Sequence, residues 1–398
     1  MALNIILFDD KQHSSLLPFT YTRPAADIRV GILTIREKWE KILGATVSSF
    51  TVDYLSKKYP VSMAVENIWI FGALLPTPDL INAIMQLSVG EALLFDGEML
   101  AAKPEPTEKN ALELPIFSIT EEREFEGTVS RLNHPFDIFL LNEQELNADF
   151  ALLCRNRQSA PLSDTNLLIG DPQNLFIEEG AVIEGATLNC QSGIIYIGKE
   201  AEIMENSAIR GPFALCEHAV VKMQSAIDGA TTVGPYCKVG GELHNVVFFG
   251  YSNKAHDGYL GNSVIGEWCN LGAATNASNL KNNYSTIDVW DIDRCQKTNS
   301  KLQFCGLMMG DHSKCGIQSM FNSGTVTGVG CNLFGTGYHN PYIPSFSYGN
   351  AQNGYETYRF DKFVEATKIV FSRRNKVFDE IEEEILRFLY DRLPHTAL

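Results

Sequence analysis

A strict six-residue spacing of aliphatic residues dominates the middle of the chain. The regularly spaced residues are Ile197, Ile203, Ile209, Leu215, Val221, Ile227, Val233 and Val239. An amphipathic helix repeats every ~3.6 residues and a half-buried strand every second residue, so neither element explains this period. A period of six, with small or β-branched residues two positions before each aliphatic one, is typical of a parallel β-helix. Three such hexads form one triangular coil, and stacked coils bury one another's apolar layer.

The hexads extend beyond this run in both directions. Upstream they begin near Leu168 and include Ile177. Downstream, the segment Tyr284–Phe304 departs from the period, which predicts an excursion from the β-helix. Ile317 and Val329 lie twelve residues, or two hexads, apart, so we expect the coils to resume there.

Polar residues concentrate where the repeat fails, around Ser252–Leu260, before it returns at Ile265. An acyltransferase needs a base to deprotonate the attacking amine or hydroxyl, and histidine is the usual choice because its pKa lies near working pH. Asparagine amides can orient a sugar and stabilise the oxyanion of a tetrahedral intermediate. His256 has such side chains nearby in sequence, namely Tyr259, Asn270 and Asn279. The alternative is a loop whose histidine and asparagines only satisfy turn backbone.

The N-terminal part of the chain reads as an α/β domain with a mostly parallel sheet and a ligand crevice at its strand ends. Its predicted strands are Asn4–Phe8, Asn67–Phe71 and a hairpin of Ala92–Phe95 with Glu98–Ala101. Its predicted helices are Val30–Leu43, Pro78–Gln86 and a linking helix Asn142–Leu153, with a polar loop at Pro104–Asn110.

Apolar residues recur at helical spacing through Asp361–Leu393, which predicts one amphipathic helix, kinked at most, that needs a partner surface. The predicted domains are an α/β domain at 1–153, a β-helix at 154–345 and a helical segment at 346–398.

Composition narrows the functional classes. The chain has 398 residues and a formal charge of −16, which argues against nucleic acid and anionic membranes as partners. Its nine cysteines are scattered singly, as expected for a reduced compartment rather than a disulfide framework or a zinc site. The first residues lack the pattern of a signal peptide, and no apolar run is long enough to cross a bilayer. We therefore expect a cytoplasmic protein.

The segment from His256 to Ala273 follows the pattern H-x-x-Y-x-G-D-x-x-I-G-x-x-x-N-x-G-A without a gap, with Asn262 in place of the aspartate. In this it resembles the bifunctional family that acetylates glucosamine-1-phosphate with acetyl-CoA and couples the product to UTP, yielding UDP-N-acetylglucosamine. The resemblance implies a nucleotidyltransferase-like (Rossmann-like) α/β domain, a left-handed parallel β-helix of hexapeptide repeats and a C-terminal α-helix. It also implies acyl-CoA sites between adjacent subunits, and a closed homotrimer satisfies such head-to-tail contacts.

The resemblance assigns roles to particular residues. It implies His256 as the general base, with Tyr259 and Asn270 as contacts around the amino sugar. It places Asn279 in the sugar or oxyanion position and Ala273 beside the acetyl-CoA thioester.

The chain departs from the family at two positions around the sugar phosphate. His244 stands where family members use a lysine, and basic residues expected after Asn279 are missing, which leaves Lys281 as the local cation. A separate basic cluster, Arg373 and Arg374, is suited to the phosphates of coenzyme A, or alternatively to a solvated helix face.

The first domain matches the family's nucleotidyltransferase less closely. The usual glycine-rich phosphate loop is absent, and only Thr22-Arg23, followed by Arg29, echoes it. The strand that normally ends in Gly-Asp, whose aspartate binds magnesium, ends here in Gly72-Ala73, so the metal ligands stay unknown. The possible substitutes are Asp9, Asp10 and Asp79.

The start of the chain follows a pattern F-T-x-T-R-P-x-A-D-I-R-x-G, which resembles a divergent branch assigned the same two activities. The expected function is therefore acetylation of a hexosamine-1-phosphate, with uridylyl transfer in the first domain using Mg²⁺. The alternatives are an acetyltransferase with an inactive first domain and a β-helical scaffold without chemistry. A further alternative is a three-histidine metal site as in β-helical carbonic anhydrases, from among His218, His244, His312 and His339.

Overall fold

The structure is a computed structural model that describes residues 3–105 and 119–393. They form two compact units, the first comprising the residues up to Leu16 together with Arg23–Ile28 and Leu33–Asn133. The second comprises Leu17–Thr22, Arg29–Ile32 and the chain from His134 onward. Residues 106–110 of the predicted polar loop and residues 394–398 of the predicted C-terminal segment lie outside the described residues.

The first unit contains a mixed six-stranded sheet in the order β2-β1-β3-β5-β4-β6. β1 pairs in parallel with β2 and with β3, whereas β5 runs antiparallel to both β3 and β4. The strands are β1 (Asn4–Phe8), β2 (Thr46–Phe50), β3 (Ile68–Phe71), β4 (Glu91–Phe95), β5 (Glu98–Lys103) and β6 (Glu121–Glu124). The helices of this part of the chain are α1 (Gln12–Ser15), α2 (Ile35–Leu43) and α3 (Pro78–Met85).

The predicted strands β1 and β3, the β4–β5 hairpin and the helix α3 are confirmed in type. Helix α2 begins at Ile35 rather than at Val30, because Thr34 caps it: the Thr34 side chain accepts from the Glu37 amide, and the Glu37 side chain accepts from the Thr34 amide. Strands β2 and β6 were not predicted, since neither shows a strong apolar pattern.

The second unit begins with helices α4 (Asp137–Leu140) and α5 (Asn142–Cys154), the latter being the predicted linking helix. Strands, most of them short, then follow one another through most of its length. In chain order they are β7 (Leu167–Ile169), β8 (Leu175–Ile177), β9 (Val182–Ile183), β10 (Thr187–Asn189), β11 (Ile195–Ile197), β12 (Glu202–Ile203), β13 (Ala208–Arg210), β14 (Phe213–Leu215), β15 (Val220–Val221), β16 (Ala226–Asp228), β17 (Thr231–Val233), β18 (Lys238–Val239), β19 (Glu242–Gly250), β20 (Asn253–Lys254), β21 (Tyr259–Glu267), β22 (Asn270–Leu271), β23 (Asn276–Ala277), β24 (Asp288–Asp291), β25 (Gln296–Asn299), β26 (Met308–Met309), β27 (Lys314–Cys315), β28 (Met320–Phe321), β29 (Val326–Thr327), β30 (Asn332–Leu333), β31 (Tyr342–Ile343), β32 (Ser347–Asn350) and β33 (Gly354–Thr357).

Apart from the antiparallel strands β24, β25 and β33, these strands form the three faces of a parallel β-helix, which confirms the prediction from the hexads. The first face runs through β7, β10, β13 and β16, the second through β8, β11, β14 and β17, and the third through β9, β12, β15, β18, β20, β22, β27 and β30. The long strands β19 and β21 each span the corner from the first face to the second. The hexad aliphatics line the buried core, with Ile209 opposite Ile227 and Val221 opposite Val239.

Two details of the predicted repeat were wrong. The ladder does not break around Ser252–Leu260: β20 and β21 continue it, and Lys254 takes the position opposite Val239. The repeat seemed to fail because this inward position carries a charged residue. The coils also resume at β26, before Ile317, which is 71% exposed, and Cys315 and Phe321 fill inward positions instead.

The predicted excursion at Tyr284–Phe304 is an antiparallel hairpin of β24 and β25. The predicted single C-terminal helix is wrong, because two helices are present: α6 (Phe360–Ser372) and α7 (Glu380–Arg392). Asp379 starts the second by accepting from the Glu382 amide. Within the described parts of the chain, no helix has both the length and the apolar character needed to cross a bilayer.

Candidate active site

A cavity of about 590 Å³ lies in the second unit, between strands of the third face and helix α6. It brings together five residues that the sequence had singled out: His256, Asn270, Ala273, Arg373 and Arg374. The full lining is Lys238, Tyr251, Asn253, Ala255, His256, Trp268, Cys269, Asn270, Leu271, Gly272, Ala273, Lys314, Ile317, Val370, Arg373 and Arg374.

His256 lies in the turn that follows β20, and its side chain is exposed at the cavity. Both ends of this turn are tied to the β-helix by hydrogen bonds. Lys254 Nζ donates to the His256 carbonyl oxygen across 2.9 Å, and the Ala274 amide donates to Asp257 Oδ1 across 3.2 Å. The imidazole is therefore presented to the cavity from a fixed backbone.

Four cations surround the cavity in a chain of net charge −16. Burial lowers the pKa of Lys314, and burial together with the charge of Arg374 lowers the pKa of Lys238. Arg374 donates from Nη2 to Asn253 Oδ1 across 2.8 Å. Arg373 completes the group, so the lining is suited to a ligand with several negative charges.

An aromatic stack forms one wall of the cavity and holds helix α6 against the β-helix. Tyr251 and Trp268 stack with ring centroids 4.2 Å apart, and Trp268 stacks on Phe371 of α6 at 3.9 Å. Tyr236 continues the stack beyond Tyr251 at 5.1 Å. Because Phe371 is buried in this stack, the following residues, Arg373 and Arg374, are directed to the cavity.

Tyr259 and Asn279 lie on the first face, outside the lining of this cavity. Asn279 contacts the Tyr259 hydroxyl, and its Nδ2 donates to Asn262 Oδ1 across 2.7 Å. Burial raises the pKa of Tyr259, and the charge of Glu242 on the neighbouring strand adds to the shift. Tyr259 and Asn279 thus form a cluster apart from Asn270, the other predicted sugar contact, which lines the cavity.

His244 and Lys281, the predicted contacts to the sugar phosphate, lie apart from the cavity. His244 Nδ1 contacts Asp228 Oδ1 at 2.7 Å on the first face. Lys281 donates to the Thr286 carbonyl across 2.8 Å and lies 3.7 Å from Asp288, at the base of the β24–β25 hairpin. Lys281 lines a second hollow of about 460 Å³ with asparagines and serines.

The two arginines predicted to meet a nucleotide fall in different units. Arg29 belongs to the second unit, where it donates to the carbonyl oxygens of Phe249, across 3.1 Å, and of Ile32. These bonds give Arg29 a role in packing. Arg23 belongs to the first unit and is 3% exposed. The predicted nucleotide contacts of both residues stay predictions.

Asp9, one of the possible substitutes for the missing magnesium ligand, follows β1 at the carboxyl end of the parallel strands. Its carboxylate accepts from Thr51 Oγ1 across 2.6 Å and from the Ala25 amide across 3.1 Å. Burial raises the pKa of Asp9 to about 7. Asp79 is exposed in the first turn of α3. Both carboxylate oxygens of Asp9 thus have protein donors, and among the described residues neither Asp9 nor Asp10 nor Asp79 belongs to a group of three side chains that could hold a metal ion.

The histidines considered for a three-histidine metal site make separate contacts. Their partners are Glu200 for His218, Asp228 for His244, Phe371 for His312 and Tyr355 for His339. Within residues 3–105 and 119–393, no three histidine, cysteine, aspartate or glutamate side chains form a group that could hold a metal ion.

Sequence reasoning missed several residues of the cavity. Lys238, Asn253 and Lys314 follow no motif, and only the pairing of β18, β20 and β27 brings them together. Lys254 could have been found from the sequence, because it is a lysine at an inward position of the repeat, six residues before Leu260.

The chain is similar to several known proteins. Residues 5–158 match the sequence model of the family described as sugar nucleotidyl transferase. The chain is similar to the bifunctional protein GlmU of Alkaliphilus metalliredigens, with 26% identity over 162 residues, 34% of this chain and 34% of that protein. It is also similar to the bifunctional protein GlmU of Methanocaldococcus jannaschii, with 32% identity over 121 residues, 30% of this chain and 27% of that protein.

The chain thus matches only about a third of the length of these curated relatives. The resemblance found in the sequence is confirmed, and the family matched by residues 5–158 is one of transferases, in agreement with the predicted enzyme class.

Two solved structures were also found to be similar. The UDP-N-acetylglucosamine acyltransferase from Campylobacter jejuni has 10% identity and a TM-score of 0.36, covering 60% of this chain and 98% of that chain. AntD, an N-acyltransferase from Bacillus cereus solved with dTDP and 3-hydroxybutyryl-CoA, has 14% identity and a TM-score of 0.24, covering 55% of this chain and 100% of that chain. TM-scores this low carry no functional argument.

Proposed function

We propose that this protein transfers the acetyl group of acetyl-CoA to the amino group of a hexosamine-1-phosphate, with glucosamine-1-phosphate as the expected acceptor. The observation that carries the proposal is the cavity in which His256 borders four cations and Ala273. A base next to a cationic, partly apolar cavity is what an acyl-CoA-dependent transfer requires.

The chemistry is a nucleophilic attack on a thioester. The amine nitrogen of the sugar forms a bond to the thioester carbonyl carbon while His256 takes one proton from that nitrogen. The tetrahedral intermediate then collapses, the carbon–sulfur bond breaks, and the imidazolium returns the proton to the departing thiolate. Hydrogen-bond donors around the oxyanion lower the barrier of this step, and Asn270 is the candidate amide at the cavity.

The lining of the cavity suggests how acetyl-CoA is held. Arg373, Arg374 and Lys238 are suited to its phosphates, because charge-assisted hydrogen bonds to phosphate are among the strongest that side chains make. Tyr251 and Trp268 offer an aromatic surface beside these charges. Ala273 leaves space where the resemblance puts the thioester.

We further propose that the acceptor is bound between subunits of a homotrimer. Tyr259 and Asn279, the predicted sugar contacts, lie on the first face, while His256 borders the cavity of the third face and α6. A neighbouring subunit that covers the first face would enclose the acceptor between these groups.

Uridylyl transfer from UTP in the first unit is the second activity we propose, supported by the family match over residues 5–158. Mg²⁺ is commonly held by one or two carboxylates together with substrate phosphates, so we expect it to enter with the nucleotide. An acetyltransferase whose first unit is inactive is the competing proposal.

One incubation separates these proposals. The protein is mixed with a panel of amino-sugar phosphates, acetyl-CoA, UTP and Mg²⁺, and the products are identified by mass. An acetylated sugar phosphate supports acetyl transfer, and Mg²⁺-dependent pyrophosphate release supports uridylyl transfer. Acetylation without release of pyrophosphate would identify the first unit as inactive. A protein that forms neither product and binds neither acetyl-CoA nor UTP would support the scaffold.

A further inference from the structure

Lys254 occupies a position that the β-helix otherwise reserves for apolar side chains. In the parallel pairing of β18 with β20, Lys254 lies opposite Val239, and paired residues of parallel strands point to the same side. In the following coils this row continues with Leu271 and Cys315, both buried. Lys254 is only 1% exposed, so its whole side chain is inside the β-helix.

A buried ammonium group is costly unless hydrogen bonds replace its hydration. Lys254 Nζ donates to three backbone carbonyls: Gly240 at 2.9 Å, His256 at 2.9 Å and Asp257 at 3.2 Å. Gly241 leaves room for this group, because a Cβ there would lie 2.9 Å from Nζ. All three protons of the ammonium therefore have acceptors, and the surrounding backbone is shaped to receive it.

Two of the three acceptors belong to the turn that presents His256 to the cavity. We propose that Lys254 is a positioning residue that anchors the carbonyls of His256 and Asp257 and so fixes the imidazole at the site of acyl transfer. This inference rests on the proposed function for its catalytic consequence, but the anchoring itself does not depend on the reaction. An aliphatic residue would fill the inward position equally well, so the cation serves the turn rather than the core.

The anchor is also sensitive to pH. Burial lowers the pKa of Lys254 to about 8, and the nearby titratable groups are the Asp257 carboxylate, which opposes the shift, and the Cys315 thiol. As pH rises through about 8, Nζ loses a proton and with it one of three hydrogen bonds to the carbonyls. The turn is then held less firmly, so acetyl transfer should fall on the alkaline side.

Lys254→Met tests the anchor, because methionine fills the space without a charge. We expect a folded protein with a thermal midpoint at or above that of the wild type, but faster hydrogen exchange at residues 255–258. The kcat for acetyl transfer should fall by about 10–100-fold, as expected for a misplaced catalytic group. KM for acetyl-CoA should change by less than about 3-fold, and the alkaline fall in kcat should disappear.

Lys222→Met is the matched control. Lys222 lies just after β15 on the same face, contacts Met204 Sδ at 3.3 Å and is not among the residues that line the cavity. Lys222→Met removes one positive charge, as Lys254→Met does, and should leave hydrogen exchange at residues 255–258 and the kcat for acetyl transfer unchanged. In the wild type, protection at 255–258 should also decrease between pH 7 and pH 9, which tests the anchor without any variant.

The possible results distinguish the positioning role of Lys254 from the proposed function of the protein. Unchanged exchange at 255–258 together with an unchanged kcat in Lys254→Met would overturn the positioning role. Faster exchange in that variant, in a protein whose wild type acetylates no amino-sugar phosphate, would support the anchor and overturn the proposed function instead.

Discussion

Arg374 Nη2 and Asn253 Oδ1 are joined by a hydrogen bond of 2.8 Å that links the end of helix α6 to strand β20. The bond spans 121 residues of sequence and closes one side of the cavity next to His256. Because the other arginine donors are not used in this bond, Arg374 can meet a bound anion without leaving Asn253. The end of helix α6 is therefore part of the candidate site.

The first prediction concerns these arginines. Arg374→Ala should raise KM for acetyl-CoA by about 10-fold, which corresponds to about 1.4 kcal/mol, because a charge-assisted bond to phosphate is lost. kcat should change little, since Arg374 is remote from the thioester in the proposed arrangement. Steady-state kinetics at constant ionic strength measure both values.

Lys368→Ala is the control for this prediction. Lys368 is an exposed cation of the same helix that pairs with Glu383 at 3.1 Å and does not line the cavity. An equal rise in KM in both variants would assign the effect to general charge rather than to the site.

Several residues of this cavity could be named from the sequence, because the family resemblance assigns His256, Asn270 and Ala273 to one acyl-transfer site. His256, Asn270 and Ala273 are close in sequence, and one coil of the β-helix is enough to bring them to one cavity. Arg373 was singled out as a cation in an acidic chain, and its place at the cavity follows from the packing of Phe371 on Trp268.

Other features could not be predicted, because they depend on pairing between distant segments. Lys254 is recognisable as an inward residue only through its register with Val239. The break between α6 and α7 had a local signal, Asp379 with Glu382 three residues later, but apolar spacing on both sides concealed it. Thr22 contacts Asp311 across 289 residues, which no local pattern indicates.

The second prediction concerns this contact between Thr22 and Asp311. Thr22 Oγ1 donates to Asp311 Oδ2 across 2.6 Å within the second unit, and Asp311 is 2% exposed. Thr22→Val removes one donor from a buried carboxylate and should destabilise the second unit by about 1–3 kcal/mol. Chemical denaturation measures this loss of stability, and hydrogen exchange in β26 and β29 shows that it affects the second unit.

Thr336→Val is the matched control, because Thr336 donates to Gln352 at 3.0 Å on the exposed surface. Its effect should be within about 0.5 kcal/mol. If Thr22→Val is equally mild, the buried bond contributes nothing measurable to the stability of this unit.

The third prediction concerns Asp9 and pH. Its pKa is raised from 3.8 to about 7 by burial, so between these values the folded state binds a proton that the unfolded state has lost. The stability of the first unit should therefore decrease as pH rises from about 4 to about 7, with a slope of at most about 1.4 kcal/mol per pH unit from this group. Hydrogen exchange in β1, corrected for intrinsic rates, reports this stability.

Asp9→Asn cannot ionise and keeps one oxygen as an acceptor for either Thr51 or the Ala25 amide, so its stability relative to the wild type should increase between pH 5 and pH 8. Asp79→Asn, at an exposed position of α3, should show no such dependence. A constant difference between Asp9→Asn and the wild type across this range would contradict the buried titration.

The fourth prediction is the assembly. We expect a homotrimer, with a mass near three times the 44.2 kDa of the chain, because the proposed acceptor site needs a neighbouring subunit. Light scattering at micromolar concentration measures this mass. A monomer that still acetylates its substrate would show that one chain holds the complete site.

The last prediction concerns His256. The neutral amine of the sugar attacks the thioester, and the imidazole takes the one proton that the nitrogen must lose as the new carbon–nitrogen bond forms. His256→Ala should therefore lower kcat for acetyl transfer by about 10²–10⁴-fold. Binding of acetyl-CoA, measured by calorimetry, and thermal stability should persist, because the side chain is exposed.

His218→Ala is the control, since His218 stacks on Tyr236 at 4.7 Å outside the cavity lining and should be dispensable for the reaction. Asn279→Ala should weaken the use of the acceptor and cost less than the loss of the base, because it orients the sugar and takes no proton. A folded His256→Ala protein that acetylates at close to the wild-type rate would exclude His256 as the base, and the cavity would then need another proton acceptor.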